Sequence, residues 1–335
     1  MPKFVFHVGM GKTGSTTIQA ALANNASALG EKGYLYLGQW LGFLRPEFDG
    51  FEGFQSFLKQ SSTEFEYCSD LFIRGVQDLD RGGSFDSYII SNEQYLENVL
   101  KTEGFFRGIS RNAELQIVIF VRPPATWLPS AYMQWGVIHK TNLGPLRPFA
   151  VKARELMRQY DHIRHWRELY GSAVAVLPFD DNSDVVQEIA RYLNANLVWE
   201  SGRYQARPSA SEALLRGACN NTYKGVAFPE FYNEVYQRGI PDRTPRSLSG
   251  KFSYIFDVKD IDRIISENSE TMSYIENEFG IDMRNKNIQE SPEFNIDELT
   301  NEMLGTMIDI VFSQSNQINT LKDRIEELER QFGRR

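Results

Sequence analysis

Short unbroken apolar runs alternate with helix-period stripes through the first 200 positions. Residues 4–8, Phe-Val-Phe-His-Val, form the β-rich run that a buried parallel strand requires. Glycines at 9, 11 and 14 break it. From Thr16 the apolar residues Ile18, Leu22, Ala26 and Leu29 recur at three- and four-residue spacing, which predicts a helix. Further apolar runs predict strands at 34–37, 88–91, 115–121 and 173–177. Helical stripes cover 149–170, through Phe149, Ala153, Leu156, Tyr160, Ile163 and Trp166, and 185–193. Positions 42–86 scatter aromatics and glycines too irregularly for more than a loose reading as helix and loop.

Strands alternating with helices imply right-handed βαβ units, so the expected fold class is α/β with a mostly parallel central sheet. Beyond about residue 200 the pattern turns to helices and polar loops without a clear strand, and 241–250 is a loop by composition. Near the C-terminus Ile318, Leu321, Ile325, Leu328 and Phe332 are spaced 3, 4, 3, 4, with Lys322, Asp323, Arg324, Glu326 and Glu327 between them. That is a heptad seam of just over two heptads, a candidate for homo-oligomer formation. The expected organisation is a core at 1–200, a helical remainder of the same domain at 201–312 and a short heptad-patterned helix at 313–335.

Composition narrows the chemistry. Of 335 residues, 36 are Lys or Arg and 44 Asp or Glu, a formal net charge of −8. An acidic chain argues against a general nucleic-acid binder, which needs positive charge for the phosphate backbone. It can still hold an anion in a local pocket. Cys68 and Cys219 are too few for a disulfide framework or a cysteine-rich zinc site, and four histidines leave little for a metal centre, so no metal is expected. No window approaches the roughly 18–20 apolar residues of a membrane span. The first residues run directly into a strand pattern with no secretory lead, so a cytoplasmic protein is expected.

The segment after the first strand carries the strongest motif: Gly11, Lys12, Thr13, Gly14, Ser15, Thr16 and Thr17 lead straight into a helix. Glycines let successive N–H groups converge, the helix N-terminus adds its positive end, and lysine and hydroxyls add donors, which together suit a phosphate. The bland reading is a glycine-rich turn with a capping Ser or Thr. A Walker A loop would need glycine at position 6, where Phe6 stands, and the strongest later strand runs into Arg122 rather than an acid for Mg²⁺. A dinucleotide fingerprint fits no better, because Lys12 interrupts the glycines and no acid closes the second strand.

Two segments together resemble the sulfotransferases that use 3′-phosphoadenosine 5′-phosphosulfate (PAPS). Lys-Thr-Gly-Ser-Thr-Thr at 12–17 is similar to that family's 5′-phosphosulfate loop. Arg-Pro-Pro-Ala-Thr-Trp-Leu-Pro-Ser at 122–130 resembles its 3′-phosphate motif, in which an arginine, a proline two residues on and a serine eight residues on recur. A strand-terminal guanidinium with a helix-borne hydroxyl suits a phosphate dianion. Val-Leu-Pro-Phe-Asp at 176–180 looks like the strand and acidic turn late in such domains, and 207–213 is similar to a segment of bacterial members. The resemblance covers residues 1–200 and fades by about 225. It implies a P-loop-like three-layer fold, PAPS as co-substrate, and sulfuryl transfer to a hydroxyl of a carbohydrate or glycolipid-type acceptor. Gly11 to Thr17 in the loop, with Arg122 and Ser130, would then bind the nucleotide.

On that resemblance Lys12 neutralises the departing phosphate oxygen. Glu93 follows the third strand, where some branches of the family place glutamate and the cytosolic branch histidine, and it is the candidate general base. Its plain alternative is a first-turn helix glutamate after Ser91 and Asn92. His7 reads as a core residue, His162 and His165 as helix-face residues, and His139 as a possible lining of an acceptor site. Trp127, Tyr132 and Trp135 are candidates to stack on a sugar or adenine, with core packing the safer reading. Arg243, Arg246 and Lys251 form a basic loop. Two other functions remain open: a small-molecule kinase with a degenerate Walker loop, and a non-catalytic interaction protein that recruits a partner through its C-terminal helix.

Overall fold

The computed structural model describes residues 1–179, 184–199, 210–228, 258, 260–284 and 296–332. Strands β1 (Lys3–Gly9), β2 (Tyr34–Tyr36), β3 (Ser87–Ser91), β4 (Glu114–Val121) and β5 (Val174–Pro178) make one sheet in the order β2-β3-β1-β4-β5. Every pairing is parallel, as the α/β alternation implied. β1 lies at the centre, with Phe6 opposite Ile90 of β3 and Ile117 of β4, and its register on β4 slips between His7 and Gly9. A central parallel strand is covered on both faces, so from Phe4 to Gly9 every residue of β1 is buried.

Among the described residues the helices are, in order, α1 (Ser15–Asn24), α2 (Ala26–Gly30), α3 (Gly50–Phe57), α4 (Ser62–Leu79), α5 (Gln94–Glu97), α6 (Glu103–Asn112) and α7 (Pro124–Tyr132). They continue with α8 (Phe149–Tyr170), α9 (Val185–Leu193), α10 (Ala210–Thr222), α11 (Ile261–Glu267), α12 (Ser269–Phe279) and α13 (Ile296–Phe332). By contact the chain forms two compact units. The first comprises Met1–Leu128, Arg154–Ala206 and Ile261–Lys286, and the second Pro129–Ala153, Arg207–Asp260 and Asn287–Arg335.

The first unit has three layers. Val5, Ile89, Val118 and Phe120 point to one face of the sheet and pack with Ile18 and Leu22 of α1, Leu29 of α2 and Val186, Ile189 and Leu193 of α9. Asp184 starts α9 by accepting the amides of Val186 and Gln187. The other face is aromatic: Phe4 and Phe6 meet Phe72 of α4, and Phe6 also meets Tyr95, Phe105 and Phe106 edge to face. Phe106 in turn stacks edge-on against Trp166 of α8. Along α8, Arg154 pairs with Glu267 at 2.8 Å and Arg167 with Glu278 at 2.7 Å, and Asp161 accepts from Thr271, which tie down α11 and α12.

In the second unit Asn220 of α10 donates to the carbonyls of Val137 and Ile138, and α10 packs on α13. The Lys140 ammonium donates to the carbonyls of Gly144 and Tyr223, and burial lowers its pKa to about 8. After residue 200 the described residues hold helices and, at Ala227, an isolated bridge to Lys140. The C-terminal helix is longer than its clear heptads suggested, because Gln314 interrupts the apolar seam without interrupting the helix. Asp180, the likeness at 207–209, the 241–250 loop and Arg243, Arg246 and Lys251 lie outside the described residues. Among the described residues no helix is long and apolar enough to cross a membrane.

Candidate functional site

The turn between β1 and α1 is built from the backbone outward. Gly9 takes φ +125°, a conformation that favours glycine, and a Cβ there would stand at contact distance, 3.4 Å, from the Glu93 carbonyl and from Leu96 Cβ. Met10 N donates to Phe120 O at 2.9 Å and stitches the turn to β4. The Met10 carbonyl accepts from the Thr13 hydroxyl and, at 3.4 Å, from that of Ser15. The Gly11 carbonyl accepts from the Trp127 indole at 2.8 Å. The Met10 and Gly11 carbonyls are thus engaged by protein donors. At the start of α1 no side chain caps the first turn and no acid sits in it, which suits an anion.

Lys12 and Gly14 both adopt left-handed backbone, at φ +66° and +81°. A Cβ on Gly14 would approach Val185 Cγ1 to 3.0 Å and Phe179 Cε2 to 3.4 Å. For lysine the left-handed region is costly, of the order of 1–2 kcal/mol, so its presence marks a residue kept for its side chain. Thr13 is buried and braces the turn, Lys12 and Thr17 are half-buried, and Thr16 is exposed.

β4 ends at Val121, and Arg122 follows it at 4% exposure. Its Nε donates to Thr126 Oγ1 at 3.1 Å, and its carbonyl accepts from Tyr160 at 2.7 Å. The guanidinium lies 5.6 Å from the centre of the Phe179 ring. Phe179 N donates to Val121 O at 2.7 Å, so this aromatic residue, just past β5, lies beside Arg122, and its ring is among the atoms that a Cβ on Gly14 would meet. Sequence reasoning passed over Phe179; its signal was an aromatic directly after a strand-ending proline.

Trp127 is fully buried, edge-on to Tyr160, and its indole holds the Gly11 carbonyl, so of the two readings offered by the sequence it is a packing residue. α7 begins in the first unit and ends in the second, where Ser130 is buried. Tyr132, also in the second unit, is buried against Phe149 and donates to the Arg147 carbonyl, and Trp135 is half-buried.

Glu93 stands at the tip of β3. Glu93 is the N-cap residue of the short helix that follows but its side chain makes no cap bond, and Asn92 Oδ1 accepts the Gln94 amide at 3.0 Å, so the Glu93 carboxylate turns to another partner. That partner is Gln19 on α1. Gln19 Nε2 donates to Glu93 Oε2 at 3.0 Å and to the Ser91 carbonyl at 3.1 Å, while Gln19 Oε1 accepts from Gln39 at 2.9 Å. Burial and then the Glu93 charge raise the pKa of Tyr36. Gln19 was also missed by sequence reasoning, although a buried polar residue one helical turn after Ser15 is a usable signal.

His7 Nδ1 pairs with Ser91 Oγ at 2.7 Å, and complete burial lowers its pKa to about 4, which makes it a neutral core residue. His139 packs on Phe228 in the second unit. His162 and His165 lie together on α8, where burial and its neighbour lower the pKa of His162.

The sheet order places the tips of β3, β1 and β4 side by side, so Glu93, Lys12 and Arg122 share the carboxyl edge of the sheet. α1 packs on one face while α5, α6 and α8 pack on the other, so the chain switches face at β1. Open α/β sheets bind ligands in the crevice at such a switch.

No family model and no curated protein matches this chain. Among solved structures the chain is similar to a sulfotransferase domain from the curacin biosynthetic pathway, at 14% identity and a TM-score of 0.37, over 80% of this chain and 98% of that one. An overlap at that level carries no weight for chemistry, which rests on the three strand tips.

Proposed function

We propose that this chain is a sulfotransferase that moves a sulfuryl group from PAPS to a hydroxyl of a carbohydrate or glycolipid-type acceptor. The observation that carries this reading is the pair of cationic residues at the tips of adjacent strands: Lys12 in the β1 turn and Arg122 at the end of β4. A nucleotide with anionic groups on both its 5′ and 3′ sides suits two separate cationic positions. The acceptor class follows from the resemblance to bacterial members of the family.

The residues fit such a substrate. The β1 turn, with the Met10 and Gly11 carbonyls engaged and α1 uncapped, suits the 5′ anion, held by Gly11, Lys12, Thr13, Gly14, Ser15, Thr16 and Thr17. Arg122 suits the 3′-phosphate, and the resemblance names Ser130 as the hydroxyl of that motif. In the transfer, the acceptor oxygen bonds to sulfur as the bond from sulfur to the 5′-phosphate oxygen breaks. Lys12 neutralises the charge gathering on that oxygen. Glu93 takes the acceptor's proton, with Oε2 held by Gln19 and the proton passing to the other carboxylate oxygen.

The test is a calorimetric titration of the whole chain with adenosine 3′,5′-bisphosphate in the presence of a chelator. Binding without Mg²⁺, competed by PAPS, is expected. No binding, with ATP bound in the presence of Mg²⁺, would replace this reading with the kinase; binding of neither nucleotide would favour a non-catalytic protein. In the same assay Glu93→Gln should keep its nucleotide affinity while sulfuryl transfer falls by roughly 10²–10⁴.

A further inference from the structure

The 37-residue helix α13 is about 55 Å long. Its apolar seam runs further back than Ile318, through Leu304, Met307, Val311, Ile318, Leu321, Ile325, Leu328 and Phe332, and each of these side chains is at least 44% exposed. With Gln314 filling its place, the spacing alternates 3, 4 from Leu304 to Phe332 without a break. From Gln317 to Phe332 every side chain is exposed. In proteins most helical stability comes from packing of an amphipathic face, and on this stretch that face is uncovered. A stripe repeating every 3.5 residues is the geometry of a second helix lying alongside.

We propose that α13 pairs with the α13 of a second copy of this chain as a parallel, two-stranded coiled coil, a proposal independent of the chemistry assigned to the strand tips. Residue types on the seam select that occupant. Val311, Ile318 and Ile325 are β-branched and fall at the a positions, while Leu321 and Leu328 fall at d, the distribution that favours two parallel strands. Gln314 at a third d position forms one polar layer, which costs stability and sets the register. Flanking charges agree with it. In a parallel pair Arg324 at g faces Glu329 at e of the other copy, and the two-fold axis repeats that pair. An antiparallel pair sets g against g, and the g positions Gln317, Arg324 and Gln331 offer Arg324 no carboxylate. Asp323, Glu326, Glu327 and Arg330 stay on the outer face, where Arg330 already pairs with Glu326 at 3.3 Å.

Light scattering on the full chain should give the mass of a dimer. The double variant Leu321→Glu, Ile325→Glu should give a monomer with an unchanged near-ultraviolet spectrum, because neither residue contributes to a buried core. Leu328→Cys should cross-link to a covalent dimer on treatment with diamide, as an in-register d pair requires, whereas the parent chain with Cys68 and Cys219 should not. A parent monomeric at every concentration would overturn the proposal, and so would a dimer indifferent to the two glutamates. A dimer in which Leu328→Cys fails to cross-link would overturn the parallel register.

Discussion

The tips of β1 and β4 are neighbours on one sheet edge and present positive charge by different means. At β1 the backbone does most of it: a left-handed Gly14, two engaged carbonyls and an uncapped helix start surround a half-buried lysine that is itself left-handed. At β4 a side chain does it: Arg122 is buried, fastened at Nε by Thr126 and laid over Phe179, while its own carbonyl is fixed by Tyr160. A backbone device is sensitive to any Cβ that crowds it, and it carries its lysine at the start of a helix, beside the position where charge develops. A braced guanidinium holds a charge that is already there. The first suits a transition state and the second a ground state, which is the distinction between turnover and affinity.

That division makes opposite demands on the two cations. Lys12→Ala should lower turnover at saturating donor by roughly 10²–10³ while changing affinity for adenosine 3′,5′-bisphosphate less than about tenfold. Arg122→Ala should weaken that affinity by about 2–5 kcal/mol, roughly thirty- to four-thousand-fold, with turnover at saturation within about tenfold of the parent. Steady-state kinetics and calorimetry on the two variants separate the quantities. If both substitutions fall on the same one, the two tips are not different devices.

A second difference lies deeper in the same two strands. β1 carries His7 inside the sheet, opposite Val118 of β4, and neither Val118 nor its neighbours on β4 titrate. With the His7 pKa lowered from 6.5 to about 4, the unfolded chain binds the proton more readily between those values. Stability therefore holds above about pH 6.5 and is lost as pH falls toward 4, by on the order of 3 kcal/mol from this group. Urea unfolding at stepped pH should show that loss in the parent and a shallower slope in His7→Gln. Equal slopes would remove His7 as the acid-sensitive point of β1.

How much of this was legible in the sequence depends on how local each feature is. Central parallel strands are contiguous apolar runs, so 88–91, 115–121 and 173–177 fall within a residue of β3, β4 and β5 at either end. α8 and α9 match 149–170 and 185–193 because their stripes are continuous, and Asp184 marks the start of α9. α4 went unread although it carries Phe65, Cys68, Phe72 and Val76 on one face behind a Ser61–Glu64 capping box; its charged surface lowers the contrast. The glycine turn and Arg122 were legible because special backbone and a strand-end arginine are local signals. Gln19 and Phe179 were not, since each acquires its role from a residue more than fifty positions away. The neighbour order of the strands, which brings Glu93 beside the turn, is likewise decided only by tertiary pairing.

The smallest effect is the most selective. At an ordinary backbone position, glycine in place of alanine destabilises by about 0.5–1 kcal/mol, because the unfolded glycine has more conformations to lose. Arg122 is such a position, with no left-handed φ, so Arg122→Gly should be less stable than Arg122→Ala by about that amount. At Lys12 the φ of +66° reverses the balance: alanine carries the left-handed penalty of about 1–2 kcal/mol and glycine does not. Lys12→Gly should therefore be the more stable of its pair, by up to about 1 kcal/mol, although both lack the amine and share the same loss of turnover. Four chemical denaturation curves read out the sign at each tip. A reversal between the tips is expected; the same sign at both would mean that Lys12 is held by its side-chain contacts in an unstrained turn, and the contrast between a backbone device and a side-chain device would fail at its origin.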